Sequence, residues 1–292
     1  MTTVLINGSK GQIAQELHYL VGLNQYSGFN FIFLTKKEWN IADEKMTESI
    51  FLKYHPDIII NTAAYTKVDQ AEIDFEECYA INSYAVRILA QICERENVKL
   101  IHYSSDYVFH DLLEHIPLTE NQVKSPKGVY ANSKSKAEDY IASINPSAII
   151  IRSSWIYSSF GHNFVKTIIK LASERKELKI VNDQIGSPTY AYNIAELTLL
   201  IITKGYYKNM SGIFHFADKG NISWYDFATE IVNQVGSATH LIPISTSEYN
   251  AKAPRPQYSV LNCGKIEDQL HIKMKPWKES LMHCINRLKN EM

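Results

Sequence analysis

Tyr130 and Lys134 form a Y-x-x-x-K pair within the stretch Val-Tyr-Ala-Asn-Ser-Lys at residues 129–134. If this stretch begins a helix, the two side chains lie one turn apart on the same face. A phenol ordinarily titrates at about pH 10, and an ammonium within about 4–6 Å favours the phenolate and lowers that pKa. Such a tyrosine can exchange a proton near neutrality, as carbonyl reduction and alcohol oxidation require. Because the same spacing also occurs on solvated helix faces, the rest of the sequence has to show whether this pair is catalytic.

A glycine turn near the N-terminus predicts a cofactor site. Residues 3–7 form a short apolar run, and Gly8-Ser9-Lys10-Gly11-Gln12-Ile13-Ala14 follows at once, with a helix expected from Gln12 to about Leu23. A strand, a glycine turn and a helix open a dinucleotide-binding unit, in which the backbone approaches a pyrophosphate at the helix N-terminus. The spacing is G-x-x-G-x-x-A rather than G-x-G-x-x-G, so a plain strand-to-helix turn is the alternative.

The end of the second expected strand bears on the choice of cofactor. This strand is expected at residues 29–34, and Thr35-Lys36-Lys37 follows it. An acidic residue at this point would bind the ribose 2′-hydroxyl of NAD, whereas a cation suits the 2′-phosphate of NADP. Lys36 and Lys37 therefore favour NADPH, and NADH and a merely solvated basic turn are left open.

The first half of the chain alternates strands and helices. Further strands are expected at residues 57–61, 99–103 and 148–152, with helices at 49–56 and 76–97. This alternation predicts an α/β fold with a doubly wound parallel sheet of the Rossmann type. Ligands of such sheets bind outside the C-terminal ends of the strands. Small or polar residues stand at those ends, namely Ala63, Ala64, Tyr65, Ser104, Ser105, Asp106, Ser153 and Ser154, with Trp155 beside them. They are expected to share one site with the glycine turn.

The alternation lapses after residue 155. Residues 1–155 are therefore interpreted as the dinucleotide-binding domain and residues 156–292 mostly as a smaller α/β substrate-binding lobe. Strands are expected near 178–181 and 212–216, and whether they return to the main sheet is left open. Helices are expected at 163–175, 193–203, 223–235 and 276–291, and Ser223 with Asp226 resembles a capping box. The segment 249–258 is expected to be irregular.

Composition restricts the class of partner. The 292 residues carry a formal net charge of −1, which argues against nucleic acid or an anionic membrane as the main partner. No stretch approaches the about 18–20 uninterrupted apolar residues of a membrane span. Cys78, Cys93, Cys263 and Cys284 are far apart in the chain, so they are expected to be free thiols in a reducing compartment. The strand-like run begins too early to leave room for a signal peptide, so a cytoplasmic location is expected.

The chain resembles the extended short-chain dehydrogenase/reductases and, more narrowly, the family of dTDP-4-dehydrorhamnose reductases. The segments that carry the resemblance span nearly the whole chain: residues 7–12, 61–72, 104–109, 130–134, 152–157, 163–164, 182–189, 224–227 and 255–256. The resemblance implies NADPH-dependent reduction of the C4 ketone of dTDP-4-dehydro-β-L-rhamnose to dTDP-β-L-rhamnose, a step toward cell-surface polysaccharide. It thereby implies a nucleotide-sugar substrate.

The resemblance also implies roles for individual residues. Tyr130 would be the general acid, Lys134 its pKa partner and a ribose ligand, and Ser105 the hydroxyl that holds the sugar C4 oxygen. Together with Lys36 and Ser104 at their strand ends, the cofactor residues would be Gly8, Lys10, Gly11, Gln12, Ile13, Ala63, Ala64, Tyr65, Tyr130 and Lys134. The substrate residues would be Val68, Ser105, Asp106, Tyr107, Tyr130, Trp155, Asn163 and Arg255. From the residues alone, Val68 and Trp155 could equally be plain core, and Arg255 a surface ion pair.

Three departures from the family pattern matter. Ser105 stands where the family usually has threonine, which keeps the hydroxyl, and Ala14 stands at the third glycine of the turn. Some relatives bind magnesium at a dimer contact through glutamates, one of which aligns with Glu16. Because Tyr192 stands where another glutamate is expected, no metal site is predicted, and a homodimer is left open.

Other functions of related proteins remain as alternatives. A sugar-nucleotide 4,6-dehydratase needs a second acid–base carboxylate, and Tyr107 stands in its place; an epimerase of the same superfamily is the related alternative. A reductase of another nucleotide-bound 4-keto-6-deoxy sugar and a non-catalytic NADP-binding regulatory subunit are the others.

Overall fold

The computed structural model describes residues 1–24, 26–110 and 115–290. The strands are β1 (Thr2–Asn7), β2 (Phe29–Phe33), β3 (Ile58–Asn61), β4 (Lys99–Ser105), β5 (Ile149–Ser153), β6 (Ile156–Tyr157), β7 (Glu177–Val181), β8 (Ile185–Gly186), β9 (Thr189–Tyr190), β10 (Gly212–His215), β11 (Ile222–Ser223) and β12 (His240–Ile244). The helices are α1 (Gln12–Leu23), α2 (Glu44–Tyr54), α3 (Val68–Ala71), α4 (Phe75–Tyr79), α5 (Ala85–Arg95), α6 (Val129–Ile144), α7 (Phe164–Glu174), α8 (Ala191–Thr203), α9 (Trp224–Val235), α10 (Thr246–Tyr249), α11 (Gly264–Leu270) and α12 (Trp277–Asn290).

The main sheet has the strand order β10-β5-β4-β3-β1-β2, and its neighbouring strands are parallel. Alternate residues of a strand point to opposite faces of the sheet, so each strand contributes to two cores. Ile58 and Ile60 belong to the core that α1 and α8 cover, whereas Ile59 belongs to the core that α5 and α6 cover. Burial on both faces explains the uninterrupted apolar run of β3. The predicted α/β fold with a doubly wound parallel sheet is confirmed.

The two later strands have different neighbours. β10 pairs with β5 at the edge of the main sheet, whereas β7 pairs with β12 in a separate two-stranded sheet. In β7 the exposed Glu177 and Lys179 alternate with the buried Leu178 and Ile180, a pattern typical of a strand with one wet face. Only the strand at 212–215 therefore returns to the main sheet. The division of the chain at residue 155 stays a prediction.

The helix expected over residues 76–97 is not continuous. A π-helical turn at Ala80–Tyr84 separates α4 from α5. Asn82 lies in this turn, where its Oδ1 accepts from the Tyr65 N–H at 2.8 Å and its Nδ2 donates to the Tyr65 carbonyl at 3.0 Å. The wider turn lets a buried polar side chain reach the backbone after β3.

Local capping sets the ends of other helices. α2 begins earlier than the sequence suggested, because Asp43 accepts a hydrogen bond from the Met46 N–H at 3.0 Å. The capping box at Ser223 and Asp226 is present as predicted. Among the residues described, none of the helices has the length and apolarity that would let it cross a membrane.

Candidate functional site

A cleft of about 620 Å³ opens at the C-terminal ends of β1, β3, β4 and β5. It brings together most of the residues predicted from the sequence, namely Lys10, Gly11, Gln12, Ile13, Ala63, Ala64, Val68, Ser104, Ser105, Asp106, Tyr107, Tyr130, Lys134 and Trp155. A neighbouring cleft of about 400 Å³ shares the glycine turn and adds Gly8, Lys36 and Tyr65. The size is ordinary for a ligand site, and the position is the one that parallel α/β sheets use.

The glycine turn has the shape that a dinucleotide requires. Gly8 has a φ of +61°, and a Cβ atom there would lie 2.9 Å from the Ala63 Cα. Gly11 is the N-cap of α1, and its N–H donates to the Gly8 carbonyl at 2.8 Å. The first N–H groups of a helix have no intrahelical partner and attract anions. The residues of this turn therefore fit the pyrophosphate of a dinucleotide.

Two asparagines hold the cofactor side of the cleft in place. Asn7, at the end of β1, accepts hydrogen bonds from the N–H groups of Thr62 and Ala63, both at 2.9 Å. Asn82 fixes the Tyr65 backbone and also donates to the Ser133 hydroxyl on α6 at 3.1 Å. Neither was among the predicted site residues. The available signal was a polar residue at the end of one buried strand and another inside an apolar helix.

Lys36 lies at the rim of the neighbouring cleft. Its side chain is 71% exposed, and its Nζ is 3.6 Å from Glu77 Oε1. A cation is thus present where the end of β2 approaches the glycine turn. Because the side chain is exposed, its effect on a bound anion will be modest.

Tyr130 lies in the first turn of α6 and faces Ser105 and Tyr107. Burial raises the pKa of Tyr130 to about 12, and a hydrogen bond with Ser105 opposes this shift. Its ring meets that of Tyr107 edge to face, with centroids 5.4 Å apart. The phenol is therefore protonated at neutral pH, which is the form that a proton donor needs.

Lys134 does not lower the pKa of Tyr130 in this structure, so that prediction is corrected. The Lys134 Nζ instead donates to the Tyr103 carbonyl at 2.6 Å and lies 3.4 Å from His102 Nε2. Burial lowers the pKa of Lys134 to about 8. The same side chain still borders the cleft beside Tyr130.

Ser105 and Asp106 line the cleft next to the Tyr130 phenol. The Ser105 hydroxyl donates to Asp106 Oδ1 at 3.0 Å and accepts from the Tyr107 N–H at 3.2 Å. Burial raises the pKa of Asp106 to about 6, and hydrogen bonds from Ser259 and Ser105 oppose this shift. The serine oxygen is thus fixed beside Tyr130 by the turn that follows β4.

Ser104 uses its hydroxyl behind the cleft. It donates to Glu138 Oε1 at 2.5 Å, and Arg152 binds the same carboxylate through Nε at 2.8 Å and Nη2 at 2.7 Å. The side chains of Glu138 and Arg152 are each only 1% exposed. Although Ser104 borders the cleft, its hydroxyl binds Glu138 of this ion pair. These contacts join α6 to β4 and β5.

Two stacked tryptophans line the side of the cleft where the sequence predicted substrate residues. The rings of Trp155 and Trp224 lie 3.6 Å apart at an angle of 9°. Trp155 has a φ of +47°, and a Cβ atom on Gly186 would lie 2.5 Å from its ring. Trp224 was not predicted as a site residue, although it immediately follows the capping residue Ser223. Its contact with Trp155 becomes visible only in the folded chain.

Arg255 is part of a second pair that the fold brings together. Its guanidinium binds Asp69 through two hydrogen bonds of 3.0 and 2.7 Å. A cavity of about 190 Å³ lies beside it, lined also by Asp106, Tyr107 and Trp155. Hydrogen bonding to Arg255 holds the pKa of the Asp69 carboxyl below its usual value. Asp69 was not predicted, because nothing local in the sequence links it to Arg255.

Asn163 is placed differently from the other predicted substrate residues. It caps α7, and its Nδ2 donates to Gln12 Oε1 at 2.9 Å and to the Ser158 carbonyl at 2.7 Å. From this segment the cleft is lined by Gly161 and His162. The amide of Asn163 thus joins the lobe to the glycine turn.

The surroundings of Glu16 do not fit a metal ion. Its carboxylate is fully buried, and it pairs with Arg287 Nη1 at 2.6 Å and accepts from the Ser158 hydroxyl at 2.6 Å. The Arg287 guanidinium also lies over the Tyr19 ring, 4.1 Å from its centroid. Within the described residues, there is no cluster of three His, Cys, Asp or Glu side chains able to hold a metal. An arginine already supplies the positive charge at this carboxylate.

Known proteins match the chain over nearly its whole length. The family model described as the RmlD substrate binding domain matches residues 1–290. The chain is 39% identical over 281 residues to the spore coat polysaccharide biosynthesis protein SpsK of Bacillus subtilis, with 96% of each chain covered. It is 36% identical over 289 residues to the dTDP-4-dehydrorhamnose reductase of Aggregatibacter actinomycetemcomitans, covering 96% of this chain and 97% of that protein.

A solved structure agrees with these matches. The dTDP-4-dehydrorhamnose reductase of Bacillus anthracis in complex with NADP superimposes with a TM-score of 0.90 at 31% identity, over 98% of this chain and 100% of that one. Sequence and fold therefore agree across both halves of the molecule. This chain belongs to the family of the dTDP-4-dehydrorhamnose reductases.

Proposed function

We propose that this protein reduces the C4 ketone of dTDP-4-dehydro-β-L-rhamnose to the alcohol of dTDP-β-L-rhamnose, with NADPH as the reductant. The observation that carries the proposal is the placement of Tyr130, Ser105 and Lys134 in one cleft with the glycine turn. Membership of the reductase family supplies the substrate class. The match to a spore coat polysaccharide protein is consistent with a product used in cell-surface polysaccharide.

Tyr130 acts as the general acid of the reaction. Its phenol keeps its proton at neutral pH because burial raises its pKa to about 12. The C4 oxygen gains negative charge during reduction, and it then takes the proton from the phenol. The Ser105 hydroxyl, which donates to Asp106 in the free protein, turns to donate a hydrogen bond to the same oxygen. When bound, NADPH supplies the hydride that C4 receives. Lys134 borders the same cleft and would bind the cofactor ribose.

The remaining residues bind the two ligands. The N–H groups of Gln12 and Ile13 at the start of α1 would hold the cofactor pyrophosphate, and Ala63 and Ala64 would line its groove. Lys36 would favour NADPH over NADH by binding the 2′-phosphate.

On the substrate side, Arg255 would neutralise the diphosphate beside the 190 Å³ cavity, and Trp155 would pack against the sugar. Val68, Asp106 and Tyr107 complete that side of the cleft. A cytoplasmic location agrees with the four free cysteines, and a homodimer stays a prediction.

The proposal is tested by following NADPH absorbance with the substrate generated from dTDP-4-keto-6-deoxyglucose by a 3,5-epimerase. We expect NADPH consumption that depends on both the sugar nucleotide and the epimerase, and dTDP-rhamnose as the product. Consumption without the epimerase would identify a reductase of another 4-keto-6-deoxy sugar. Tight NADPH binding without any turnover would instead identify a regulatory subunit.

A further inference from the structure

A row of buried polar side chains lies behind the cleft. His102 and Ser104 alternate along β4 and point to the face that α6 covers. Lys134 and Glu138 lie one turn apart on that helix, and each faces one of the two strand residues. The pair of Ser104 and Glu138 joins β4 to the middle of α6. The pair of His102 and Lys134 lies directly under the cleft.

Two of the three N–H groups of Lys134 are directed into the protein wall. One donates to the Tyr103 carbonyl at 2.6 Å, and another points toward His102 Nε2 at 3.4 Å. Because Lys134 also borders the cleft, the third N–H remains for a group bound there. What His102 presents to the ammonium therefore affects where that third N–H points.

The charges of the two groups restrict the tautomer of His102. Burial lowers the pKa of Lys134 to about 8, opposed by the charges of Glu138 and Cys78, so the amine is mostly protonated at neutral pH. Burial and the charge of Lys134 hold the pKa of His102 well below its usual value, so the ring is neutral. An ammonium cannot accept a hydrogen bond. A favourable contact therefore requires a bare Nε2, with the ring proton on Nδ1.

Asn61 is placed to fix that tautomer. Its amide lies 2.9 Å from His102 Nδ1, on the neighbouring strand and in register with it. With the amide nitrogen toward the ring, Asn61 Oδ1 has no hydrogen-bond partner among the described residues. The amide can present either atom, since its oxygen and nitrogen are similar in size. With the oxygen toward the ring, it accepts from Nδ1–H and leaves Nε2 bare.

His215 shows the same arrangement elsewhere in the molecule. Its Nδ1 lies 3.0 Å from the Leu118 carbonyl, and its Nε2 lies 3.3 Å from Arg152 Nη1. A carbonyl only accepts, so Nδ1 carries the proton and Nε2 accepts from the guanidinium. A neutral buried histidine beside a buried cation is therefore used twice in this fold.

We propose that His102 is a positioning residue, which accepts a hydrogen bond from the Lys134 ammonium in a tautomer that Asn61 fixes. The third N–H of Lys134 is thereby left for a group bound in the cleft that Tyr130 also borders. This role rests on the proposed reductase function only for its effect on turnover. The tautomer and the contact are properties of the protein itself.

The tautomer is tested by ¹⁵N NMR of the histidine-labelled full chain without ligands. The signals of His102 are identified by their loss in His102→Gln. We expect a protonated Nδ1 and a bare Nε2 at neutral pH. A protonated Nε2 with a bare Nδ1 would overturn the proposal, whatever the substrate of the enzyme proves to be.

The effect on turnover is tested with His102→Leu and His102→Gln. Leucine removes the acceptor, so the pKa of Lys134 falls. The alkaline limb of the pH profile of activity should therefore move to lower pH. We expect kcat to fall about tenfold or more, because a hydrogen bond to a charged group is lost. Glutamine keeps an oxygen acceptor and should restore the pH profile.

His215→Leu is the matched control, since it removes the same contact away from Lys134. It should lower stability and leave the pH profile unchanged. If His102→Leu keeps the wild-type kcat and alkaline limb, the proposal is wrong.

If that variant does not fold, the NMR result and the pH profile of His102→Gln decide, and an alkaline limb shifted in the glutamine variant would contradict the proposal. If no variant turns over any sugar nucleotide, the proposed function fails while the tautomer result still stands.

Discussion

The two sides of the cleft are held together over very different distances in the chain. On the catalytic side, Ser104 contacts Glu138 across 34 positions, and both belong to successive elements of one β/α unit. On the substrate side, Asp69 contacts Arg255 across 186 positions. The difference teaches that the proposed catalytic residues are supported by a contact within one β/α unit, whereas the proposed substrate residues are held by a contact between distant segments.

The largest expected effect concerns the catalytic side. Tyr130→Phe removes the proton donor and keeps the ring, so kcat should fall by about 10²–10⁴-fold while NADPH binding changes little. Tyr140→Phe is the control, because Tyr140 lies on the same helix with its ring against Arg87 and Lys136. Steady-state kinetics and NADPH titration measure both. Equal turnover by Tyr130→Phe and wild type would remove Tyr130 from the mechanism.

The buried ion pair between Glu138 and Arg152, behind the catalytic side, should contribute strongly to the stability of the protein. Glu138→Gln leaves the buried Arg152 without its charge partner, so the free energy of unfolding should fall by about 3–5 kcal/mol. Glu174→Gln is the control, since its ion pair with Lys170 is exposed and should contribute less than about 0.5 kcal/mol. Urea unfolding measures both variants. Equal losses would mean that the buried pair does not support α6.

The same ion pair should make the stability of the protein depend on pH. Burial alone would raise the pKa of Glu138, but hydrogen bonds and charge from Arg152 outweigh it and lower the pKa. A carboxyl with a lowered folded-state pKa stabilises the protein above its unfolded pKa of about 4.3, and this stability is lost as the pH falls further. Glu138→Gln should therefore flatten the acid limb of stability. An unchanged limb would contradict this assignment.

A change on the substrate side should alter KM for the sugar nucleotide more than kcat. Arg255→Met removes the guanidinium proposed to bind the diphosphate, so KM for the sugar nucleotide should rise about 10–100-fold with less change in kcat. Lys252→Met is the control, because it removes an exposed charge from the same segment. A loss in kcat alone would place Arg255 with the catalytic side and break the comparison.

The smallest effect is expected at the cofactor rim. Lys36→Ala should raise KM for NADPH by about two- to fivefold and leave KM for NADH unchanged, since Lys36 is exposed. Lys37→Ala should leave both constants unchanged. If Lys36→Ala weakens NADH equally, the 2′-phosphate is not what Lys36 binds.

The sequence predicted what depends on local spacing. Tyr130 and Lys134 are one helical turn apart, and Gly8 and Gly11 follow the first strand directly, so short patterns identified them. Contacts across the chain were missed, such as Asp69 with Arg255 and Trp155 with Trp224. The expected lowering of the Tyr130 pKa was wrong, because burial raises this pKa, and the sequence does not show how far the fold buries the phenol.

The central claim is that this cleft reduces a nucleotide-bound ketone at C4 of the sugar. The most direct measurement uses NADPH carrying deuterium at the transferable position of nicotinamide C4, with the epimerised dTDP-4-keto-6-deoxy sugar as substrate. NMR of the product should show deuterium at C4 of dTDP-rhamnose. Deuterium at another carbon, or a deuterated cofactor that remains unconsumed with this substrate, would contradict the account.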